Sequence, residues 1–146
     1  MDLTKRTPRS VKDKFAGVVM LGRTTDKARA SQAGQLGEYD YNCGMDQGVF
    51  GFLGIDHEEY RNKASSIDDA QLEQWVRKEF AAKKTPAELD AWNAEFLQMA
   101  PEPGSDKETY FVGLRDAIDP TRTDITRWAD LLDLDEGRPV PHATPA

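Results

Sequence analysis

The sequence predicts an all-α protein, a compact single-domain bundle of about six to eight short helices. Three observations carry that expectation. Apolar residues recur at helical spacing in five stretches, several of these stretches open on capping motifs, and no segment alternates with the period of two that a half-buried strand requires. Periodicity has to bear the argument because Leu, Ile, Val and Phe supply only 28 of 146 residues, a level at which disorder competes with folding. Five stripes, completed by Trp and Tyr, make a lean core.

Ser10 reads as the N-cap of a first helix, with Val11, Phe15, Val18 and Val19 on one face and Gly22 near its end. Thr24, Thr25 and Asp26 supply the next cap, for a short helix through Ala30 that Gly34 or Gly37 would terminate. Periodicity then lapses into an irregular loop over residues 37–46. Asp46 reads as the cap of an apolar helix, Val49 to Leu53, stopped by Gly54, and residues 56–64 as a polar helical turn or two. A stronger helix carries Leu72, Trp75, Val76 and Phe80. Thr85-Pro86-Ala87-Glu88 joins a capping box to a proline at the first helical position, ahead of Leu89, Trp92 and Phe96.

Pro101 to Gly104 must break that helix, and Ser105-Asp106-Lys107-Glu108 is a second capping box before a stripe of Tyr110, Phe111, Leu114 and Ile118. Thr123 or Asp124 caps a last helix bearing Ile125, Trp128, Leu131 and Leu132. Residues 135–146 offer no apolar face. They read as a flexible C-terminal tail behind a helical domain spanning 1–134.

The net charge of −7 argues against a protein wrapped around nucleic acid. It conceals an asymmetry. Residues 1–29 hold eight basic and three acidic side chains, a local charge of +5, so the rest of the chain carries −12. A basic end on an acidic body means either internal charge complementarity or an anion site. One cysteine, Cys43, permits no intrachain disulfide, no apolar run approaches a membrane span, and no secretory signal is visible. The expectation is a cytoplasmic protein without membrane contact.

Function is sought in the loop, Gly37-Glu38-Tyr39-Asp40-Tyr41-Asn42-Cys43-Gly44-Met45-Asp46, because irregular segments on rigid scaffolds are where sites tend to sit. Cys43 precedes a helix start, where backbone N–H groups and the helix dipole favour an anionic sulfur. A small buried thiol is the plainer reading. Glu38, Asp40 and Asp46 beside Tyr39 and Tyr41 could form an acid/base cluster, while the aromatics could equally anchor the loop in the core. Arg23 and Lys27 stand at i and i+4 on a basic ridge, whereas Lys27 and Arg29 project about 200° apart, so only one of that pair can face a site. Cys43, Asp46, Asp56 and His57 match no zinc spacing, and phosphate loops, dinucleotide fingerprints and nucleophile elbows are missing, so neither metal nor cofactor is expected.

Asp2-Leu3-Thr4-Lys5-Arg6, Pro8-Arg9-Ser10, Gly22-Arg23, Asp26 to Ala30, Gly37-Glu38-Tyr39, Tyr41-Asn42-Cys43, Asp46 and Phe52-Leu53-Gly54-Ile55 together resemble a bacterial domain-of-unknown-function family, the one numbered five-thousand-sixty-nine. The resemblance covers most of the chain. It is most specific over residues 2–56 and extends to the Asp124-Ile125-Thr126 to Asp133 segment. It implies a small stand-alone protein and no particular activity.

The residues themselves point to a pocket between the basic N-terminal helices and the Glu38 to Asp46 loop, binding or transforming a small anionic metabolite. Arg9, Arg23 and Lys27 would supply charge, Tyr39, Tyr41, Asn42 and Asp46 would shape the ligand site, and Cys43 or Glu38 would do covalent or proton chemistry. A non-catalytic interaction or accessory protein is the competing class. A pocket with convergent polar groups favours the first, an exposed apolar patch the second.

Overall fold

The helix boundaries follow from local chemistry wherever a cap motif is complete. Thr85 and Glu88 exchange reciprocal side-chain-to-backbone hydrogen bonds at 3.1 Å, Ser105 accepts the N–H of Glu108 at 3.2 Å, and Asp56 and Asp68 cap the helices that follow them. The computed structural model describes residues 1–143 and is all-α. In chain order the helices are α1 (Leu21–Gln32), α2 (Gly44–Leu53), α3 (His57–Ser66), α4 (Asp69–Glu79), α5 (Pro86–Leu97), α6 (Asp106–Ile118) and α7 (Trp128–Asp135), with a single 3₁₀ turn at Ala81–Lys83. Strand-like pairing among the described residues is limited to one isolated bridge, Phe15 with Val18. The chain divides into two compact units, Met1–Asn93 and Ala94–Ala146.

In the first unit, residues 11–19 are not the helix that their spacing predicts. Val11, Phe15, Val18 and Val19 are all buried, as that reading required. The backbone delivers them differently: Phe15 and Val18 exchange both backbone hydrogen bonds, with Ala16 and Gly17 at φ 53° and 78° between them. Two successive positive φ values define a type I′ turn, and no right-handed helix passes through them. The hydroxyl of Ser10 accepts the N–H of Lys12 at 3.1 Å, closing a turn rather than capping a helix.

This turn is held from outside. Glu73 on α4 accepts the Ala16 N–H at 3.0 Å. Asn93 on α5, 5% exposed, accepts the Val19 N–H at 3.1 Å and donates to the Gly17 carbonyl at 2.9 Å. The first helix therefore starts late, at Leu21, and runs through Gly22, Thr24, Thr25 and Asp26, which the sequence reading takes as a break and a cap. Its seven residues from Leu21 to Lys27 are all buried, so this end of α1 is enclosed on every side. Thr25 turns its hydroxyl back to the Leu21 carbonyl at 2.7 Å and shares a 2.6 Å hydrogen bond with Tyr60 of α3.

The second unit has its own core of Phe111, Ile125, Leu131 and Val140, with Trp128 and Leu134 packed against it. Phe111 and Trp128 meet edge to face, with centroids 5.0 Å apart. Three expectations are corrected here. The last helix begins at Trp128, because Asp124 binds the Arg122 guanidinium through both oxygens instead of capping a helix. Of the expected α6 stripe only Phe111 turns inward, beside Arg115, while Tyr110, Leu114 and Ile118 are exposed. The stretch beyond Asp135 is not without contacts: Val140 is buried, Arg122 donates to the carbonyls of Val140 and Pro141, and the Ala143 N–H reaches Asp124. Backbone carbonyls held by an arginine leave no hydrophobic pattern to read. The end of the expected tail, 144–146, lies outside the described residues.

Asn93 satisfies two backbone groups that the type I′ turn leaves in the interior, and each such orphan costs about 1–3 kcal/mol. Asn93→Ala is expected to lower the stability to chemical denaturation by about 2 kcal/mol or more. An unchanged midpoint would show that water replaces the amide and that the turn stands by itself.

Candidate functional site

The loop at residues 37–46 lies along the α1 ridge formed by Arg23 and Lys27. The Arg23 guanidinium sits over the Tyr39 ring, 5.5 Å from its centroid. One turn further on, the Lys27 ammonium is 2.7 Å from Asp46 Oδ2 and 3.3 Å from Cys43 Sγ. Arg29 points the other way, to Asp69 and the carbonyls of Ala64 and Ile67. Helical projection had required that divergence.

Asp46 is not the N-cap of α2. The cap is Cys43, and Asp46, three residues into the turn, accepts the Cys43 N–H at 3.1 Å to close a capping box in which sulfur stands where a hydroxyl is usual. The same carboxylate takes the Thr24 hydroxyl at 2.6 Å on its other oxygen. It is fully buried, and Lys27 is 4% exposed. The geometry makes Asp46 the counter-ion of a lysine enclosed by the fold, and the charge, not only the cap, matters. Cys43 is half-buried, and its sulfur accepts from the Lys27 ammonium.

The other loop residues separate into two groups. Tyr41 donates its hydroxyl to the His57 carbonyl and packs edge to face on Phe50, which ties it to α3 and α2. Burial raises its pKa above the ordinary tyrosine value, and the nearby Asp46 charge adds to the effect. Asn42 adopts φ 62° and offers its backbone carbonyl to Gln47 at 2.9 Å. Glu38 is exposed on the opposite flank of the loop, beside Tyr39.

On that flank lies a groove of about 450 Å³ between residues 3–7 and 37–39. Gly37 makes it possible. It has φ 61°, and a Cβ there would stand 3.0 Å from the Leu3 carbonyl oxygen, so only glycine lets the two segments lie this close. The Leu3 N–H anchors the N-terminal segment to the Gln35 carbonyl at 2.9 Å. Lys5, Arg6 and Glu38 line the groove, are exposed, and make no side-chain hydrogen bond or ion pair among the described residues. A larger concavity, about 560 Å³, is lined by α4 residues alone. It is the relief of a single helix face.

Arg9 is engaged elsewhere. It grips Asp26 through two guanidinium nitrogens at 3.0 and 3.2 Å and through its own backbone N–H at 2.8 Å, and it shares Asp69 with Arg29. Arg23 donates to the Arg9 carbonyl at 3.3 Å. Of the residues singled out in the sequence, the fold brings together Arg9 with Arg23, Arg23 with Tyr39, and Lys27 with Cys43 and Asp46. Tyr41 and Asn42 are turned to structural partners. The sequence reading did not single out Lys5, Arg6, Thr24 or Asp69 as site residues, although Lys5 and Arg6 belong to its +5 N-terminal stretch and a glycine at 37 permits the close approach of the two segments.

A small all-α protein with a basic groove beside a lysine–aspartate–cysteine cluster is thus defined. Residues 5–138 match the family model described as Domain of unknown function (DUF5069), and the chain belongs to that family. No curated protein matches the chain. Among the described residues no helix is long and apolar enough to cross a membrane, and no group of three or more His, Cys, Asp or Glu side chains is gathered to hold a metal ion.

Removing one partner of a buried ion pair strands the other, at a cost of about 3–5 kcal/mol. Asp46→Asn is therefore expected to destabilise the fold by that order although it preserves a cap oxygen, and Lys27→Met by a similar amount, read from denaturant midpoints. A loss below about 1 kcal/mol for Asp46→Asn would return Asp46 to a simple capping role. Asp69 gives a pH test. Burial alone would raise its pKa, but the Arg29 hydrogen bond and the Arg9 and Arg29 charges outweigh that and hold it below the usual carboxylate value. Its contribution is complete above about pH 4 and is lost as pH falls through the depressed folded value. Wild type and Asp69→Asn should differ in melting temperature at neutral pH and converge in acid; a gap that persists in strong acid would remove the charge from the explanation.

Proposed function

We propose that this protein binds a small anionic molecule in the groove between residues 3–7 and Gly37 to Tyr39. The observation that carries this reading is the state of Lys5 and Arg6. Arg9, Lys27 and Arg29 are matched by Asp26, Asp46 and Asp69, whereas these two cations line a concave surface and, among the described residues, make no ion pair or side-chain hydrogen bond, Asp2 acting on Arg6 only through space. An unpaired lysine and arginine on one wall suit a phosphate or carboxylate, the arginine through its planar fork and the lysine as a point charge.

In this reading Tyr39 lines the groove with the buried Arg23 guanidinium behind its ring, and Arg9, Lys27 and Asp46 hold the surrounding segments in place rather than touch the ligand. Tyr41 and Asn42 fix the loop that carries Tyr39. Glu38 at the rim is the group suited to proton transfer. Cys43, farther along the same loop, is the one nucleophilic thiol, and a free half-buried thiol suits a reducing compartment such as the cytoplasm.

The test is thermal melting with inorganic phosphate, sulfate and citrate, each matched in ionic strength by chloride. At ligand 100-fold above its dissociation constant the stabilisation amounts to about 2.7 kcal/mol, well within the reach of a melting curve. Lys5→Ala with Arg6→Ala is expected to abolish the ligand-dependent rise while leaving the unliganded melting temperature within a degree or two, since exposed charges contribute little to stability. Anions that do no more than chloride, or a double variant that responds as wild type does, would refute the reading.

A further inference from the structure

The groove beside Gly37 carries both signs of charge and does not neutralise them. Residues 3–7 bring Lys5 and Arg6 to it, and residues 37–39 bring Glu38 and the Tyr39 ring. Lys5, Arg6 and Glu38 are exposed, and among the described residues none of the three makes an ion pair or a side-chain hydrogen bond. The neighbouring carboxylate, Asp2, accepts the N–H and the hydroxyl of Thr4 and reaches Arg6 only through space. A salt bridge across the groove would close it and cancel its field. Instead a cationic and an anionic pole stand in one concavity of about 450 Å³, open to a ligand that brings the opposite charges in matching order.

Glu38 decides which anion suits the groove. A bare phosphate drawn to Lys5 and Arg6 lies in the field of a carboxylate, and that like charge opposes binding. A ligand that carries an ammonium on the Glu38 side turns the repulsion into attraction. Charge balance sets its other end: Lys5 and Arg6 supply two positive charges, and a phosphate monoester carries about −1.5 to −2 at neutral pH, whereas a carboxylate or a phosphodiester carries a single negative charge. Tyr39 completes the match. One cation, Arg23, already lies 5.5 Å from its ring centroid, so the ring offers the ligand an apolar contact rather than a second cation site.

We propose, resting on the anion-binding reading of this groove, that its ligand is a phosphorylated amine: a small zwitterion with a phosphate monoester on Lys5 and Arg6, a short carbon chain against Tyr39 and an ammonium on Glu38. The guanidinium fork of Arg6 and the point charge of Lys5 hold the phosphate oxygens. Glu38 is then what separates this ligand from phosphate itself.

The test is isothermal titration calorimetry of the full chain, at fixed ionic strength, with phosphoethanolamine and with ethyl phosphate, which lacks only the ammonium. Phosphoethanolamine is expected to bind about fivefold more tightly, the size of one exposed charge pair. Glu38→Gln should erase that preference and leave ethyl phosphate bound at least as well as before, a split that a merely structural role for Glu38 would not produce. Lys5→Ala with Arg6→Ala should remove the binding of both. Equal affinities in wild type, or a preference that survives Glu38→Gln, overturn the zwitterion and leave the anion groove standing. If neither phosphate binds, the groove reading itself fails and the zwitterion with it. Sedimentation with phosphatidylethanolamine vesicles separates a free ligand from a lipid headgroup: the protein is expected to stay in the supernatant, and pelleting with the vesicles would overturn the assignment to a free phosphate monoester.

Discussion

Lys27 and Asp46 meet at 2.7 Å in a site almost sealed from water, and the arrangement of the first unit depends on their doing so. A lysine on the enclosed end of α1 is tolerable only with an anion beside it, and the anion comes from the first turn of α2. That requirement fixes where α2 begins, since Asp46 can reach Lys27 and close the capping box on Cys43 only if Cys43 is the cap. It also lays the loop from Gly37 along the Arg23–Lys27 ridge. The loop in turn holds Tyr39 against Arg23 and Tyr41 against α3.

The same logic extends around α1. Asp26 is answered by Arg9, and Arg29 by Asp69 of α4, so together with Lys27 a single turn of one helix is bound by charged contacts to the N-terminal segment, to α2 and to α4. A lean apolar supply makes this intelligible. Each pair contributes little net stability, but each mismatch is costly, so the pairs select one arrangement of helices from the many that the hydrophobic pattern would allow. Of the +5 charge of residues 1–29, Asp46 and Asp69 answer two charges inside the unit. Lys5 and Arg6 are among the cations that remain, and they line the groove.

In the second unit the charged pairs are local in sequence. Its core is apolar and aromatic, its arginines bind neighbouring carboxylates and backbone carbonyls, and the chain's net negative charge accumulates there. Arg122 shows how little pattern such order needs: one guanidinium gathers Asp124 and the carbonyls of Val140 and Pro141, and a segment with no amphipathic face becomes part of the structure.

The sequence by itself determined the helical class, the helix starts at Thr85 and Ser105, and the divergence of Lys27 from Arg29. These are local matters: caps, prolines and the angle between neighbouring side chains act within one or two turns. It also placed Val11, Phe15, Val18 and Val19 in the core, yet not in their true conformation, because four buried positions fit a helix as well as a turn and the choice fell to Glu73 and Asn93, distant in the chain. Tertiary structure alone decided that Asp46 neutralises a buried lysine, that Arg9 binds Asp26, and that Lys5 and Arg6, which make no ion pair among the described residues, line a groove beside Gly37. A charged residue reads the same in sequence whether solvent or a counter-ion answers it, and only the packed chain brings the answering charge to within about 3 Å.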